Sequence, residues 1–110
     1  MDQAPLREPT FLILTALTRT PQHGYGIIQD VAGISGGRVR LKAGTLYAAL
    51  ERLTDEGLIE VDREEVVDAR LRRYYRITGA GAARLRAEVD RLRRNLDVAA
   101  DRLGLGRAAT

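Results

Sequence analysis

Cysteine and tryptophan are absent from the 110 residues, and histidine, lysine, serine, methionine and phenylalanine occur once each. Without cysteine there are no disulfides and no thiolate metal sites, which fits a reducing cytoplasm. With His23 as the single imidazole, metal and thiol catalysis have no residues to run on. Ser35, the lone serine, has no base beside it in the sequence pattern. No glycine-rich phosphate loop is present, and the paired acids Glu64-Glu65 fall on what reads as an exposed hairpin. An enzyme is therefore not expected, nor a cofactor, nor a metal. No apolar run approaches the roughly 20 residues of a membrane span. Residues Met1–Pro5 show no basic segment leading into an apolar one, so no secretion signal is expected, and the cytoplasm is the expected location.

What is present is a folded composition of 45% hydrophobic and 30% charged residues, enough for one domain with one modest core. The formal charge is +3 and the sequence pI about 9.8, which favours a polyanionic partner. Nearly all of the basic residues are arginine, whose planar fork suits phosphates and guanine edges. A GC-rich coding bias also produces arginine, so the placement of the charge matters more than its total.

The most informative stretch runs from Gly44 to Ile59. Leu46, Leu50 and Leu53 share one face at helical spacing, and Gly57 stands where a left-handed C-terminal cap belongs. The opposite face carries Gly44, Ala48, Glu51 and Arg52, with Thr45 and Tyr47 on its flanks. Near the N-terminus that face is small and polar enough for a DNA groove to approach.

Around this helix the chain divides readily. Residues 1–8 read as a loose leader. Pro9 and Thr10 open a first helix whose stretch Phe11–Leu17 is apolar on nearly every face, so either a partner subunit covers its second side, or it is the central helix of its own core, or both. Thr20-Pro21-Gln22 is a break. A second helix runs from about His23 to Ala32, with Ile27, Ile28 and Val31 inward, and ends at Gly33 and Ser35-Gly36-Gly37. Arg38–Leu41 alternates like a very short strand. The third helix spans about Ala43–Glu56. Leu58–Glu65 and Leu71–Ile77 form an antiparallel hairpin with its tip at Val66–Arg70. Thr78 caps a last helix. There Ala82, Leu85, Val89, Leu92, Leu96, Ala99 and Leu103 step by three and four, a coiled-coil seam that either docks on its own domain or, the favoured reading because the earlier elements already use the small core, seeks a partner helix. The helix ends at Gly104, and 105–110 read as a flexible tail. The fold class is mainly α with a small β-hairpin: a winged helix-turn-helix over residues 9–78 plus a long C-terminal dimerisation helix over 79–104.

Four motifs in unbroken order resemble the PadR-like transcriptional regulators, in the short branch with a single C-terminal helix. They are His23-Gly24-Tyr25-Gly26-Ile27; Gly44-Thr45-Leu46-Tyr47 with Leu50 and Arg52-Leu53; Gly57-Leu58-Ile59; and Arg73-Tyr74-Tyr75-Arg76-Ile77-Thr78 with Gly81. The resemblance implies a homodimeric repressor on an inverted-repeat operator in double-stranded DNA. It also implies a dimer built by the first and last helices, and release by a small hydrophobic or phenolic effector. Three features depart from the family. Gly26 and Gly79 stand where it often has acidic or polar helix formers. The first hairpin strand is acidic (Glu60, Asp62, Glu64, Glu65, then Asp68), and no tryptophan is available to stack a planar ligand.

The candidate DNA contacts are Thr45 and Tyr47 on the third helix, Gly44 and Lys42 at its start, Arg40 before it and Arg52 beyond; Lys42 reads equally as a solvated surface lysine, and Arg52 equally as paired with Glu51, Asp55 or Glu56. Tyr25 at the start of the second helix either approaches a phosphate or wedges the second helix against the third. In the hairpin only Arg70, Arg72 and Arg73 can reach DNA past the acids. Thr45 serves as a donor to phosphate or base, or as a simple cap; Tyr47 meets the backbone or a thymine methyl, or simply packs. His23 reads as a helix cap or surface group. Phe11, Leu14, Leu85, Val89, Leu92, Leu96 and Leu103 are the candidate dimer interface. Phe11, Leu14, Leu92 and Leu96 are the candidate lining of an effector cavity. The rival expectation is a winged-helix protein-interaction or assembly module whose DNA face is silenced by the acidic hairpin.

Overall fold

Three helices, a hairpin and a long helix follow one another as the periodicity predicts, with the short extra strand at Gln22–His23 and not at Arg38–Leu41. The computed structural model describes residues 4–106; the outer parts of the expected leader and tail, 1–3 and 107–110, lie outside the described residues. The elements are α1 (Glu8–Ala16), β1 (Gln22–His23), α2 (Gly24–Ile34), α3 (Ala43–Asp55), β2 (Ile59–Val67), β3 (Arg70–Ile77) and α4 (Gly79–Arg102).

Helix α1 sits at the centre. Leu12, Ile13 and Leu14 are all buried although they are consecutive, as are Ala16 and Leu17, and α1 packs on both α2 and α4. A partner subunit is thus not needed to cover this greasy helix. Leu14, expected at a dimer interface, is 0% exposed within its own chain. Only Phe11 keeps an edge at the surface. Residues 4–8, expected as a loose leader, are tied down. The Ala4 carbonyl accepts from Arg84 at 2.6 Å, the Leu6 N–H meets Glu88, and Glu8 pairs with Arg38.

His23 caps α2, its Nδ1 accepting from the Gly26 N–H at 3.3 Å. The extra strand is β1, which pairs antiparallel with β3 in the sheet order β1-β3-β2. It joins the last residue of the stretch read as a break to the first of the expected second helix, and two residues carry no alternation to detect. Arg38–Leu41, read as a short strand, forms none. There the Val39 N–H donates to Ser35 Oγ at 2.9 Å, and Val39 and Leu41 tuck against the core as a loop.

Leu46, Leu50 and Leu53 hold α3 to that core. The helix stops as predicted at Gly57, whose φ is +76°. The Leu58 N–H reaches the Leu53 carbonyl and the Gly57 N–H the Thr54 carbonyl, a paired closure that returns the chain into β2. The β2–β3 tip is tighter than read: only Asp68 and Ala69 turn, both at positive φ (52° and 62°). The register shifts between Val61 and Arg63, a bulge at Asp62 that moves the later residues of β2 to the other face.

Helix α4 starts against the α3–β2 corner. Thr78 Oγ1 donates to the Gly57 carbonyl at 2.7 Å and accepts from the Gly81 N–H at 3.0 Å. Gly81 is required by contact: a Cβ there would lie 2.8 Å from Ile77 Cγ1 and 3.0 Å from the Leu58 carbonyl carbon. Gly81, Leu85 and Glu88 are buried against the domain, whereas every residue from Leu92 to Ala99 is exposed. This projecting arm gives the chain its long dimension, 57 × 33 × 24 Å.

Candidate nucleic-acid interface

The N-terminal turns of α2 and α3 and the hairpin enclose an open cleft of about 800 Å³. Tyr25, Tyr47, Arg70, Arg72 and Arg73 line it together. Five of the residues singled out from the sequence therefore meet on one face. Lys42, Gly44 and Thr45 are exposed on the first turn of α3. Lys42 is the residue that caps the helix, and no side chain satisfies its first amides. Arg40 is exposed in the preceding loop, its guanidinium lying over Gly37. Arg52 is not brought to this face. It donates to Thr10 Oγ1 at 3.1 Å and lies 4.0 Å from Glu56, tying α3 to α1.

The two tyrosines divide their work differently from the sequence expectation. Tyr25 does not wedge α2 against α3. It is 63% exposed, and its hydroxyl accepts from Gln29 at 3.1 Å. The wedge is Tyr47, whose ring crosses from α3 onto α2. A Cβ on Gly24 would fall 2.9 Å from the Tyr47 Cζ, so the glycine makes room for the ring. Tyr47 packs on Gly24 in this way and still remains 52% exposed. Gly24 is the residue sequence reasoning missed; it lay inside a motif but carried no chemistry of its own.

The hairpin neutralises most of its own charge. Across the β2–β3 ladder Arg73 Nε donates to Glu64 at 2.9 Å and Arg76 Nε to Glu60 at 2.7 Å. Arg63 donates to Glu65 at 2.7 Å and stacks 3.9 Å over the Tyr74 ring, whose other neighbour is His23, edge-on at 5.3 Å. Among the described residues Arg70 and Arg72 carry no carboxylate partner, and both line the cleft. Burial first, and then the Arg72 charge, push the His23 pKa below its ordinary value.

A second, smaller cavity of about 250 Å³ lies between the leader, α1 and α4. Of the four effector candidates Phe11 and Leu92 line it. Leu14 is sealed in the core beneath, and Leu96 is out on the arm. The same cavity holds an ion pair the sequence did not reveal. Glu88 is 4% exposed and bound by Arg91, Nε to Oε1 at 3.2 Å. An acid one position from the apolar seam leaves no periodic trace. Of the dimer candidates, Leu85 is also buried on its own core and Val89 is half-buried, whereas Leu92, Leu96 and Leu103 are exposed. Among the described residues no cluster of His, Asp and Glu could hold a metal, and no helix is long and apolar enough to cross a membrane.

A sequence model of the transcriptional regulator PadR-like family matches residues 13–87, from the centre of α1 into α4. The chain belongs to this family. Its members are transcriptional regulators, not enzymes. Transcriptional regulator Rv3488 of Mycobacterium tuberculosis is 44% identical over 63 residues, 57% of this chain and 55% of that protein. An uncharacterized protein of Lysinibacillus sphaericus is 35% identical over 74 residues, 67% of this chain and 68% of its own. Bacillus subtilis PadR, solved in complex with operator DNA, superposes with a TM-score of 0.67 at 26% identity, covering 76% of this chain and 48% of that one. A PadR family regulator from Eggerthella lenta gives 0.71 at 26% identity over 86% and 80%. The chain thus spans about half the length of the Bacillus PadR and of the mycobacterial regulator.

Proposed function

We propose that the protein is a homodimeric repressor that binds an inverted-repeat operator through the cleft between α3 and the hairpin, and that a small hydrophobic or phenolic ligand releases it. The observation that carries the DNA reading is the convergence of Tyr25, Tyr47, Arg70 and Arg72 beside the exposed first turn of α3. It is supported by the operator complex of the Bacillus PadR, which shares the fold. In this reading α3 enters the major groove by its N-terminal end. Lys42, Thr45, Arg70 and Arg72 hold the flanking phosphates, and two copies set their α3 helices about 34 Å apart along one duplex face. The apolar arm of α4, with Leu92, Leu96 and Leu103 exposed, supports the dimer. The cavity at Phe11 and Leu92 supports the ligand, which acts only if it binds the DNA-free form better.

The test is a fluorescence-anisotropy titration of the duplex upstream of the protein's own gene, across a salt series. Binding whose logarithm falls linearly with log salt is expected, with Thr45→Ala and Tyr47→Ala losing operator affinity while still folded. No binding by the wild type at low salt favours the protein-interaction module instead. That rival draws on the Glu64–Arg73 and Glu60–Arg76 pairs, which remove two cations from the hairpin. For the ligand, a panel of phenolic acids and planar apolar compounds that changes neither melting temperature nor operator affinity overturns that part alone.

A further inference from the structure

The outward stripe of α3 contains no cation. The helix buries Leu46, Leu50 and Leu53, and the residues diametrically opposite are Gly44, Ala48, Glu51 and Asp55, all exposed. On the operator reading above, on which this inference rests, that stripe faces the floor of the major groove. It has none of the side chains that usually read purines there: no arginine or lysine for guanine, no asparagine or glutamine for adenine. Gly44 and Ala48 are short enough to let the backbone sink toward the base edges. Glu51, one turn further on, is then the first long side chain on the stripe.

Glu51 is also chemically available. Glu56, Glu60 and Glu64 are each paired with an arginine, whereas no ion pair or hydrogen bond among the described residues engages the Glu51 carboxylate. Asp55 has the same charge but lies about 16 Å along the axis from Gly44, against a groove about 12 Å wide. Glu51, at about 10 Å, falls inside it.

We propose that Glu51 is the specificity-determining residue of the recognition helix, and that it reads cytosine. A carboxylate can only accept. Guanine offers two acceptors in the major groove and thymine a carbonyl oxygen, and both repel it. Adenine offers an amine, but beside the N7 lone pair. In its base pair the adenine amine lies between that N7 and the thymine O4, whereas the cytosine N4 amine has an acceptor, the guanine O6, on one side only and the apolar C5–H on the other, so it pairs at the smallest penalty. The same charge repels phosphates on any sequence that does not supply the amine, which lowers non-specific binding.

The experiment is selection of binding sites from a random duplex library by the full chain and by Glu51→Gln and Glu51→Ala, with melting curves to establish that the variants fold. The wild type is expected to fix one C·G pair in each half-site. Both variants should relax that position by about tenfold while keeping the others. Anisotropy on a scrambled duplex should show both variants binding non-specific DNA more tightly than the wild type. Identical site preferences in all three proteins overturn the assignment, as does retention of cytosine by the variants at every position where the wild type fixes it. If the wild type enriches no sequence at all, the operator reading itself fails, and the two failures are thereby told apart.

Discussion

Helices α1 and α4 are both leucine-rich, and they end up in opposite environments. In α1 the apolar residues are wrapped by the rest of the chain, so that three consecutive side chains are sealed. In α4 the first half packs in the same way through Gly81 and Leu85, but the second half carries its leucines into solvent. Apolar periodicity says that a face wants cover; it does not say whose. Length decides it here. At about 1.5 Å per residue, 24 residues outrun a domain whose other dimensions are 33 and 24 Å, and the excess has nothing of its own chain to meet.

The contrast can be broken most sharply in the core. Leu14→Ala should destabilise the fold by about 2–5 kcal/mol, because a fully enclosed side chain leaves a cavity. A urea titration reads this directly, and a loss below about 0.5 kcal/mol would return Leu14 to the surface. Next is the junction that aims the arm. Gly81→Ala pushes a methyl into Ile77 and the Leu58 peptide and should remove about 1–3 kcal/mol. Gly79→Ala, two residues earlier and in open space, should be neutral or gain up to about 1 kcal/mol. Equal effects at the two glycines would mean that α4 does not press on the α3–β2 corner.

On the arm the expected effect moves from folding to assembly. Leu96 is 59% exposed, so Leu96→Glu should leave the stability of the isolated chain within about 0.5 kcal/mol. The same variant should shift sedimentation from twice 12.1 kDa toward 12.1 kDa and reduce operator affinity with it. A wild type that sediments as a single 12.1 kDa particle at high concentration sinks the proposed dimer.

What the sequence made legible was periodic or punctuated. The α3 leucines, the Gly57 stop, the Thr78 cap and the hairpin each follow from spacing or from one backbone requirement. What escaped it depended on neighbours distant in sequence. A two-residue strand, a ring resting on Gly24, the turn of Arg52 toward Thr10 and the docking of the leader on Arg84 and Glu88 all join segments that share no local pattern. The candidate interface was legible as a set of residues but not as a charge balance. The sequence set an acidic strand beside a basic one, and only the register, with Glu64 opposite Arg73 and Glu60 opposite Arg76, says which arginines are spent. Arg72→Ala should therefore lower operator affinity and reduce the salt slope by about one per protomer, and Arg76→Ala should change neither appreciably.

The smallest expected effects separate the two regions by pH. At the α1–α4 junction, the Arg91 hydrogen bond holds the Glu88 carboxyl below the usual 4.5 against the opposing effect of burial, and the Leu6 N–H adds to it. A lowered carboxylate supports folding above the unfolded value and loses that support as pH falls through the folded one. At the cleft, His23 is pushed the other way relative to its charge. The folded chain keeps a neutral imidazole whose Nδ1 accepts from Gly26, whereas the unfolded chain takes up a proton as pH drops below about 6.5. Stability should thus begin to fall near that pH and flatten once the folded imidazole also protonates. His23→Asn, which keeps a capping acceptor without a titrating ring, should abolish the upper step alone, and Glu88→Gln the lower one. Wild-type and His23→Asn melting temperatures that run parallel from pH 7 to pH 5 would mean that the cap tolerates the charge, and that the imidazole does not couple the cleft to folding.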